Sequence, residues 1–466
     1  MKKAIHLIFC FGALLLLLTN CEEQRTPPNV IFILADDLGW SQTSAYGSSY
    51  YQTPNIDRLS KEGIRFTEAY AACAVCSPTR ASIMTGKYPA RLCITNYIPG
   101  KDPDDKPLLE PDWQKFLPLE EWTLGELFRE RGYRTASFGK WHLSAEKFGP
   151  ESHAFNPDKQ GFDEFFIIDK PTTDHDPDGD PSSSDSIGNI TVDFIREHAD
   201  HPFFVVMSFS AIHHPLVENA DTIRKWENKA GSDEPGNNPV IAAMLSRMDR
   251  NIGKVIDVVD ELDLRENTVL VFYSDNGGVV TNRIYHYSGE RIEEMVPQDP
   301  LREGKGWVYE GGIRVPLVIS WPVKVKRDQV SDARVSSIDF FPTFCELLGV
   351  EGPADTDGIS ILSHLTSGSS LPERSLFWHY PHYHGSTGMV PAGAIRKGNY
   401  KLIEWYENSL TGDKEGAFEL YDIEQDESEI SNLADSLPEL VRTLSGELDN
   451  WRKEVDAQMP VPNPAY

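Results

Sequence analysis

Short apolar runs that stop abruptly at polar residues recur along this chain. Val30-Ile31-Phe32-Ile33-Leu34-Ala35 ends in Asp36-Asp37, and Arg134-Thr135-Ala136-Ser137-Phe138-Gly139 leads to Lys140 and His142. Phe203-Phe204-Val205-Val206-Met207-Ser208-Phe209 leads to His213, and Thr268-Val269-Leu270-Val271-Phe272-Tyr273-Ser274 ends in Asp275-Asn276-Gly277. Unbroken apolar runs without alternation predict strands buried on both faces, as in a parallel sheet covered by helices. In such sheets ligands gather beyond the carboxyl ends of the strands, so four runs delivering polar residues there predict one composite site. Between the runs, Asn55–Gly63 reads as a helix closed by its glycine. Residues 240–262 place Ile241, Met244, Met248, Ile252, Val255, Ile256 and Val259 on one stripe of a long helix, with both methionines as core filler.

The pattern changes near Leu371. Ala394–Lys397, Gly398-Asn399 and Tyr400–Ile403 read as a hairpin with a tight turn, and Phe418–Asp422 adds another strand. Ser436-Leu437-Pro438-Glu439 has the form of a capping box, opening a helix with Leu440, Val441, Leu444, Leu448 and Trp451 on one stripe. The predicted fold class is α/β: a large mixed, mostly parallel sheet sandwiched by helices (residues 28–365), with a smaller C-terminal α+β unit of antiparallel sheet plus helix (371–458). The proline-rich residues 459–466 read as an irregular tail.

With 466 residues the chain has room for both units, and a net charge of −28 argues against a nucleic-acid partner. Residues 1–20 read as a signal peptide, with Lys2 and Lys3 ahead of an apolar run too short to span a membrane. Leu18-Thr19-Asn20-Cys21 resembles a bacterial lipobox, with Cys21 as the lipidated residue and Asn20 as a departure from the usual small residue. The alternatives are an ordinary cleaved signal or an uncleaved anchor. Glu22-Glu23 resembles the acidic signals that send some lipoproteins to the outer surface, which makes the outer membrane the expected anchorage. Beyond the leader only Cys73, Cys76, Cys93 and Cys345 remain, too few for a disulfide scaffold.

Residues 73–86, Cys-Ala-Val-Cys-Ser-Pro-Thr-Arg-Ala-Ser-Ile-Met-Thr-Gly, carry the most chemistry. Ser77 suits an N-cap, Pro78 the first helical position and Gly86 the stop, which puts Cys76 just ahead of a helix N-terminus. Free amide donors there, with Arg80 close by, make a site for an anion around a reactive side chain. Cys73-x-x-Cys76 also reads as a redox or zinc half-site, although no second ligand pair supports it. Asp36-Asp37 and Asp275-Asn276 supply hard oxygen donors for Ca²⁺ or Mg²⁺, or else serve as turn and capping carboxylates. Lys140 and His142, two positions apart, should face the same side.

Cys76-x-Pro78-x-Arg80 resembles the signature of the type I sulfatases of the alkaline phosphatase-like superfamily. Gly139-Lys140-Trp141-His142-Leu143-Ser144 is similar to the family's G-K-W-H-L-G motif, with Ser144 in place of the last glycine. Ser210-Ala211-Ile212-His213-His214-Pro215 is similar to its histidine motif, with Ile212 where proline is usual, which would loosen the loop. Leu301–Gly306 and Tyr309–Pro316 resemble its second signature, with further echoes at Asp339–Thr343 and Asp357–Ser360, so the likeness runs over roughly residues 28–430.

The resemblance implies a sulfuric ester hydrolase in which Cys76 is oxidised to formylglycine by a maturation enzyme. Asp36, Asp37, Asp275, Asn276 and the hydrated aldehyde at position 76 would hold one calcium ion. One hydroxyl of that hydrate would attack sulfur while Arg80, Lys140 and Lys305 hold charge on the oxygens. His213, alone or with Lys305, would protonate the departing alcohol, and His142 would take the proton from the second hydroxyl so that sulfate leaves. Lys140, His213 and Lys305 would also bind substrate, and His214 has no role carried over.

An exported protein with this chemistry is expected to desulfate glycans, galactose or N-acetylgalactosamine sulfates being preferred. Trp378-His379-Tyr380-Pro381-His382-Tyr383-His384 is either a sugar subsite or interface packing. Asp174–Asp180 with Asp185 imitates half of a calcium loop, but reads better as an acidic solvated loop. The rival readings are a phosphonate monoester or phosphodiester hydrolase of the same superfamily, and a noncatalytic surface glycan-binding lipoprotein.

Overall fold

The computed structural model describes residues 27–101, 103–144, 152–168, 179–411 and 415–466. The leader with Cys21, and Asp174–Asp178 of the acidic loop, lie outside the described residues. The large sheet has eight strands: β1 (Asn29–Ala35), β2 (Ile64–Phe66), β3 (Arg134–Gly139), β4 (Glu164–Ile167), β5 (Phe203–Ser208), β6 (Thr268–Ser274), β7 (Leu317–Ser320) and β8 (Gln329–Ser331). Their order is β8-β2-β7-β6-β1-β5-β3-β4. The four apolar runs are neighbours, β6-β1-β5-β3, all parallel, while β7 runs antiparallel to both of its partners.

Both faces of these strands are buried, and alternate residues serve different cores. Ile31, Ile33, Val205, Met207, Leu270 and Phe272 pack on one side with α1 (Pro54–Lys61), α4 (Ser184–Glu197) and α5 (Pro239–Glu261). Val30, Phe32, Phe204, Val206, Val269 and Val271 pack on the other with α2 (Cys76–Thr85), α3 (Leu124–Glu130) and α6 (Phe340–Leu347). Met244 and Met248 are core residues.

The C-terminal part folds as a four-stranded antiparallel sheet: β9 (Leu376–Tyr380), β10 (Ala392–Lys397), β11 (Tyr400–Trp405) and β12 (Phe418–Asp422), in sequence order. Its helix, α7 (Pro438–Glu454), buries Leu444, Leu448 and Trp451 in a core shared with Ala72, Tyr88, Ala90 and Ile338 of the larger part. The sheet is therefore built into the large unit. A fully buried cluster strengthens the join: Lys401 Nζ lies 3.0 Å from Glu310 and 2.9 Å from Glu429.

Several local expectations need correction. The 459–466 tail is not wholly irregular, because Val461–Pro462 pairs with Leu108–Leu109. α7 has no capping box: Leu437 is its N-cap without a side-chain bond, and Ser436 Oγ donates to Leu433 O instead. Gly63 does not close α1 through a left-handed turn. It sits where a Cβ would come within 2.1 Å of Ile319 O, so it is needed for close approach to β7. Asp180 and Asp185 act as cap and ion pair: Asp180 accepts from the backbone of Asp185 and Ser186, and Asp185 binds Arg247, Arg250 and Asn251. Substituting Gly63→Ala should therefore destabilise the protein by about 1–3 kcal/mol through backbone overpacking, read from the midpoint of a urea titration; an unchanged midpoint would refute the close-approach account.

Candidate active site

The polar residues after β1, β3, β5 and β6 converge as the strand order requires. Asp36, Asp37, Asp275 and Asn276 are fully buried. Tight turns put them there: Asp36 N–H bonds Ala211 O at 3.0 Å and Ile212 N–H returns to Asp36 O at 2.6 Å. Ile212 does not leave its loop untethered, since this reciprocal pair joins it to the first acidic residue. On the other side Asp275 N–H bonds Ala35 O, and Asp37 N–H reaches Asp275 Oδ1 at 3.2 Å.

α2 begins at Cys76 itself, with Val75 as N-cap and Gly86 ending it in the left-handed region. Ser77 is inside the helix, and its hydroxyl accepts from Ile98 N–H. Cys76 thus lies in the first turn, and every residue of α2 is buried. All four described cysteines are free, and burial pushes the Cys73 thiol up to about 12, which makes it an inert neighbour.

Three cations face the three carboxylates. Arg80 Nε lies 2.8 Å from Asp275 Oδ2, while its Nη1 donates to Lys140 O and Ser208 Oγ. Lys140 Nζ is 2.6 Å from Asp36 Oδ2, and Lys305 Nζ is 2.7 Å from Asp37. Burial works against ionisation of Asp36, but Lys140, His213, Arg80 and Lys305 outweigh it and hold the carboxyl below its usual range. Burial, reinforced by the charge of Asp36 and opposed by Arg80, leaves Asp275 raised well above that range.

Two histidines bracket this cluster. His142 Nε2 donates to Ile98 O at 2.6 Å, which leaves Nδ1 as an acceptor 3.3 Å from Cys76 Sγ. Burial and then Lys140 depress its pKa well below the ordinary value, so the ring is neutral. Strand alternation is not what aligns His142 with Lys140: β3 ends at Gly139, and His142 itself has φ 60°. His213 donates from Nδ1 to His214 O, and its Nε2 lies 3.9 Å from Asp37 Oδ2. Burial, Lys305 and Lys140 together lower its pKa to about 3. His214 turns away to Arg283 O.

Among the described residues, Asp36, Cys76 and Asp275 form the cluster able to hold a metal, with donor atoms within 4.8 Å of one another. Asp36 Oδ1 and Asn276 Oδ1 are buried with no hydrogen-bond partner. Orphaned oxygens beside a like-charged carboxylate pair fit a hard divalent cation. A thiol does not belong in that donor set, whereas an oxygen at position 76 does.

Sequence reasoning passed over Ser208 and Ser274. They are the last residues of β5 and β6, and they hold Arg80 and Leu38 N–H respectively; their place at strand ends was the available signal. Of the aromatic stretch, Trp378, His379, Tyr380, His382 and Tyr383 are buried and bonded to Ala71 O, Tyr406, Asn96, Glu110 and Glu407. They are packing residues. His384 lies against Gly306, the residue after Lys305.

A divalent cation at [Ca²⁺] or [Mg²⁺] a hundredfold above Kd should stabilise the fold by about 2.7 kcal/mol, seen as a raised Tm that chelator reverses. Asp36→Ala should abolish the response. A melt insensitive to both ions would remove the metal reading.

Comparison with known proteins agrees with this geometry. The Sulfatase family model matches residues 28–350, and the model for the N-sulphoglucosamine sulphohydrolase C-terminal region matches residues 304–454. An N-acetylgalactosamine-6-O-sulfatase of Bacteroides thetaiotaomicron is 29% identical over 93% of this chain and 96% of its own length. Human arylsulfatase A is 30% identical, over 96% of this chain and 91% of its own. The solved structure of Ps i-CgsB in complex with k-i-k-neocarrahexaose superposes with a TM-score of 0.73 at 26% identity, covering 91% of this chain and 93% of that one. The chain belongs to the sulfatase family and is a sulfuric ester hydrolase.

Proposed function

We propose that the protein removes sulfate from a saccharide, using a formylglycine made from Cys76 and a calcium ion held by Asp36, Asp37, Asp275 and Asn276. The observation that carries this reading is the convergence of His142, three cations and the oxygen donors on the Cys76 side chain. Calcium suits so crowded and anionic an oxygen set better than magnesium, which retains several waters. When bound, the ion would activate a hydroxyl of the matured position 76 side chain for attack on sulfur.

The remaining work falls to the chain's own groups. Arg80, Lys140 and Lys305 are fixed before substrate arrives, so they stabilise charge on the sulfate oxygens without reorganising. His142 Nδ1 is an acceptor beside the position 76 side chain, suited to take a proton from it. His213 is neutral in the free protein. An anionic ester set between Lys140 and Lys305 opposes the field that depresses its pKa, which lets Nε2 carry the proton that the leaving alcohol needs. Lys305 is a second donor to that oxygen.

The carbohydrate substrate is supported by the relatives: one is named for N-acetylgalactosamine 6-O-sulfate, and another is solved with a neocarrahexaose. Galactose and N-acetylgalactosamine sulfates remain the preferred class. The reading includes export through residues 1–20, an outer-membrane lipid anchor at Cys21, activation by a formylglycine-generating enzyme, and catalytic and C-terminal units at 28–365 and 371–458.

Protein matured in cells should hydrolyse at least one member of a defined panel of sulfated sugars. Cys76→Ala should lower that rate by about 10⁴-fold or more. Mass analysis of the peptide spanning residues 76–80 should find the aldehyde in active protein; an intact thiol there would contradict the scheme. His213→Ala should reduce kcat on sugar sulfates by about 10²–10⁴-fold, and far less on an aryl sulfate whose phenolate leaves without a proton. The same variant should lose the alkaline fall of kcat, since raising pH strips the proton that His213 donates. Equal losses on both esters would reassign the acid.

A further inference from the structure

Beside Lys305 lie groups that the reaction itself does not use. The 384–389 turn, closed by the His384–Met389 bridge, lies against Gly306, the residue after Lys305. A Cβ on Gly306 would stand 2.6 Å from Thr387 Oγ1 and 3.3 Å from His384 Cγ, so glycine lets the turn reach the lysine. Gly306 N–H is anchored to Ala74 O, next to the segment that bears Cys76.

His384 is held in a defined orientation. Its Nδ1 lies 3.0 Å from Thr387 Oγ1 and 3.2 Å from Ser386 Oγ, and its ring meets Tyr97 edge-on at 5.4 Å. In the tautomer that accepts from these hydroxyls at Nδ1, the ring proton is on Nε2. That atom has no hydrogen-bond partner among the described residues, although His384 is only 6% exposed. The Tyr97 hydroxyl likewise has none. Both rings feel the reacting centre: Lys305 and Asp37 act on His384, and Lys305 and Cys76 on Tyr97. Burial and then Lys305 bring the pKa of His384 down to about 4, so it is a neutral donor near pH 7.

A neutral N–H and a phenol beside an anion site are suited to read uncharged hydroxyls rather than a second anion. We propose that His384 Nε2–H and the Tyr97 hydroxyl form the subsite for the sugar ring that carries the ester, hydrogen-bonding hydroxyls next to the sulfated position. This rests on the sulfatase reading. It gives the small C-terminal sheet a share in substrate selection, through the turn between β9 and β10.

The test compares kcat/KM for N-acetylgalactosamine 6-sulfate, galactose 6-sulfate and glucosamine 6-sulfate with that for 4-methylumbelliferyl sulfate, which has no sugar hydroxyls. The sugar-to-aryl ratio, taken for the best sugar, should fall about 10-fold or more in His384→Ala. It should fall in Tyr97→Phe, which keeps the ring and its packing, and recover in part in His384→Gln, which restores an N–H. A ratio within about twofold of wild type in both His384→Ala and Tyr97→Phe overturns the proposal. So does wild-type protein that turns over the aryl ester and none of the sugars. Wild-type protein inactive on every ester overturns the sulfatase reading, and this inference with it.

Discussion

Charge balance among buried groups is the constraint on which this molecule rests. Asp36, Asp37 and Asp275 are fully buried at the carboxyl ends of β1 and β6. An unpaired carboxylate there would cost several kcal/mol, and loss of one partner of a buried pair typically costs about 3–5 kcal/mol. Arg80, Lys140 and Lys305 supply the partners, each from a different segment. The balance is incomplete in two respects: Asp36 Oδ1 and Asn276 Oδ1 are unsatisfied, and burial, then the charge of Asp36, pushes Asp275 toward its neutral form. A divalent cation would complete it. The same groups would then present excess positive charge to an incoming sulfate ester, and one arrangement would serve both folding and anion recognition.

The fold makes that arrangement possible through adjacency. β6, β1, β5 and β3 are parallel neighbours, so residues far apart in the chain arrive together beyond their carboxyl ends. Because β1, β5 and β6 are almost wholly apolar and buried, the helices on either side pack on them through apolar side chains. The charged residues are confined to the strand ends, where backbone bonds such as Asp36 N–H to Ala211 O hold the turns.

This division explains what could be read from the chain. The unbroken apolar runs and their polar endings located the strands and the site, since burial on two faces leaves an unmistakable pattern. The helix of α5 and the β10–β11 hairpin were legible for similar reasons of period and turn chemistry. What escaped was set by tertiary contact. Val75, not Ser77, precedes α2, because Ser77 is engaged by Ile98 rather than by the helix end. His142 reaches Cys76 through a left-handed backbone, which no alternation rule foresees. Gly63 looks like a stop signal and is in fact a clearance for β7. The aromatic stretch that begins in β9 looked equally suited to sugar or packing, and His384 differs from its equally buried neighbours in lying against Gly306 with an Nε2 that has no partner among the described residues.

That separation gives the molecule two regions with different freedom to change. Charges at the strand ends are mutually dependent, so altering one leaves another stranded in the interior. His384 and Tyr97 are neutral, and their polar atoms are not part of any buried ion pair. Replacing them leaves the carboxylate–cation balance intact. On the proposed reading, selectivity for the sugar would vary through the 384–389 turn and the Tyr97 segment, while the charged groups at the strand ends stay fixed. Gly306 is the point where the regions meet: it must stay small for the turn to reach Lys305, and its backbone must stay bonded to Ala74 for Lys305 to face Asp37.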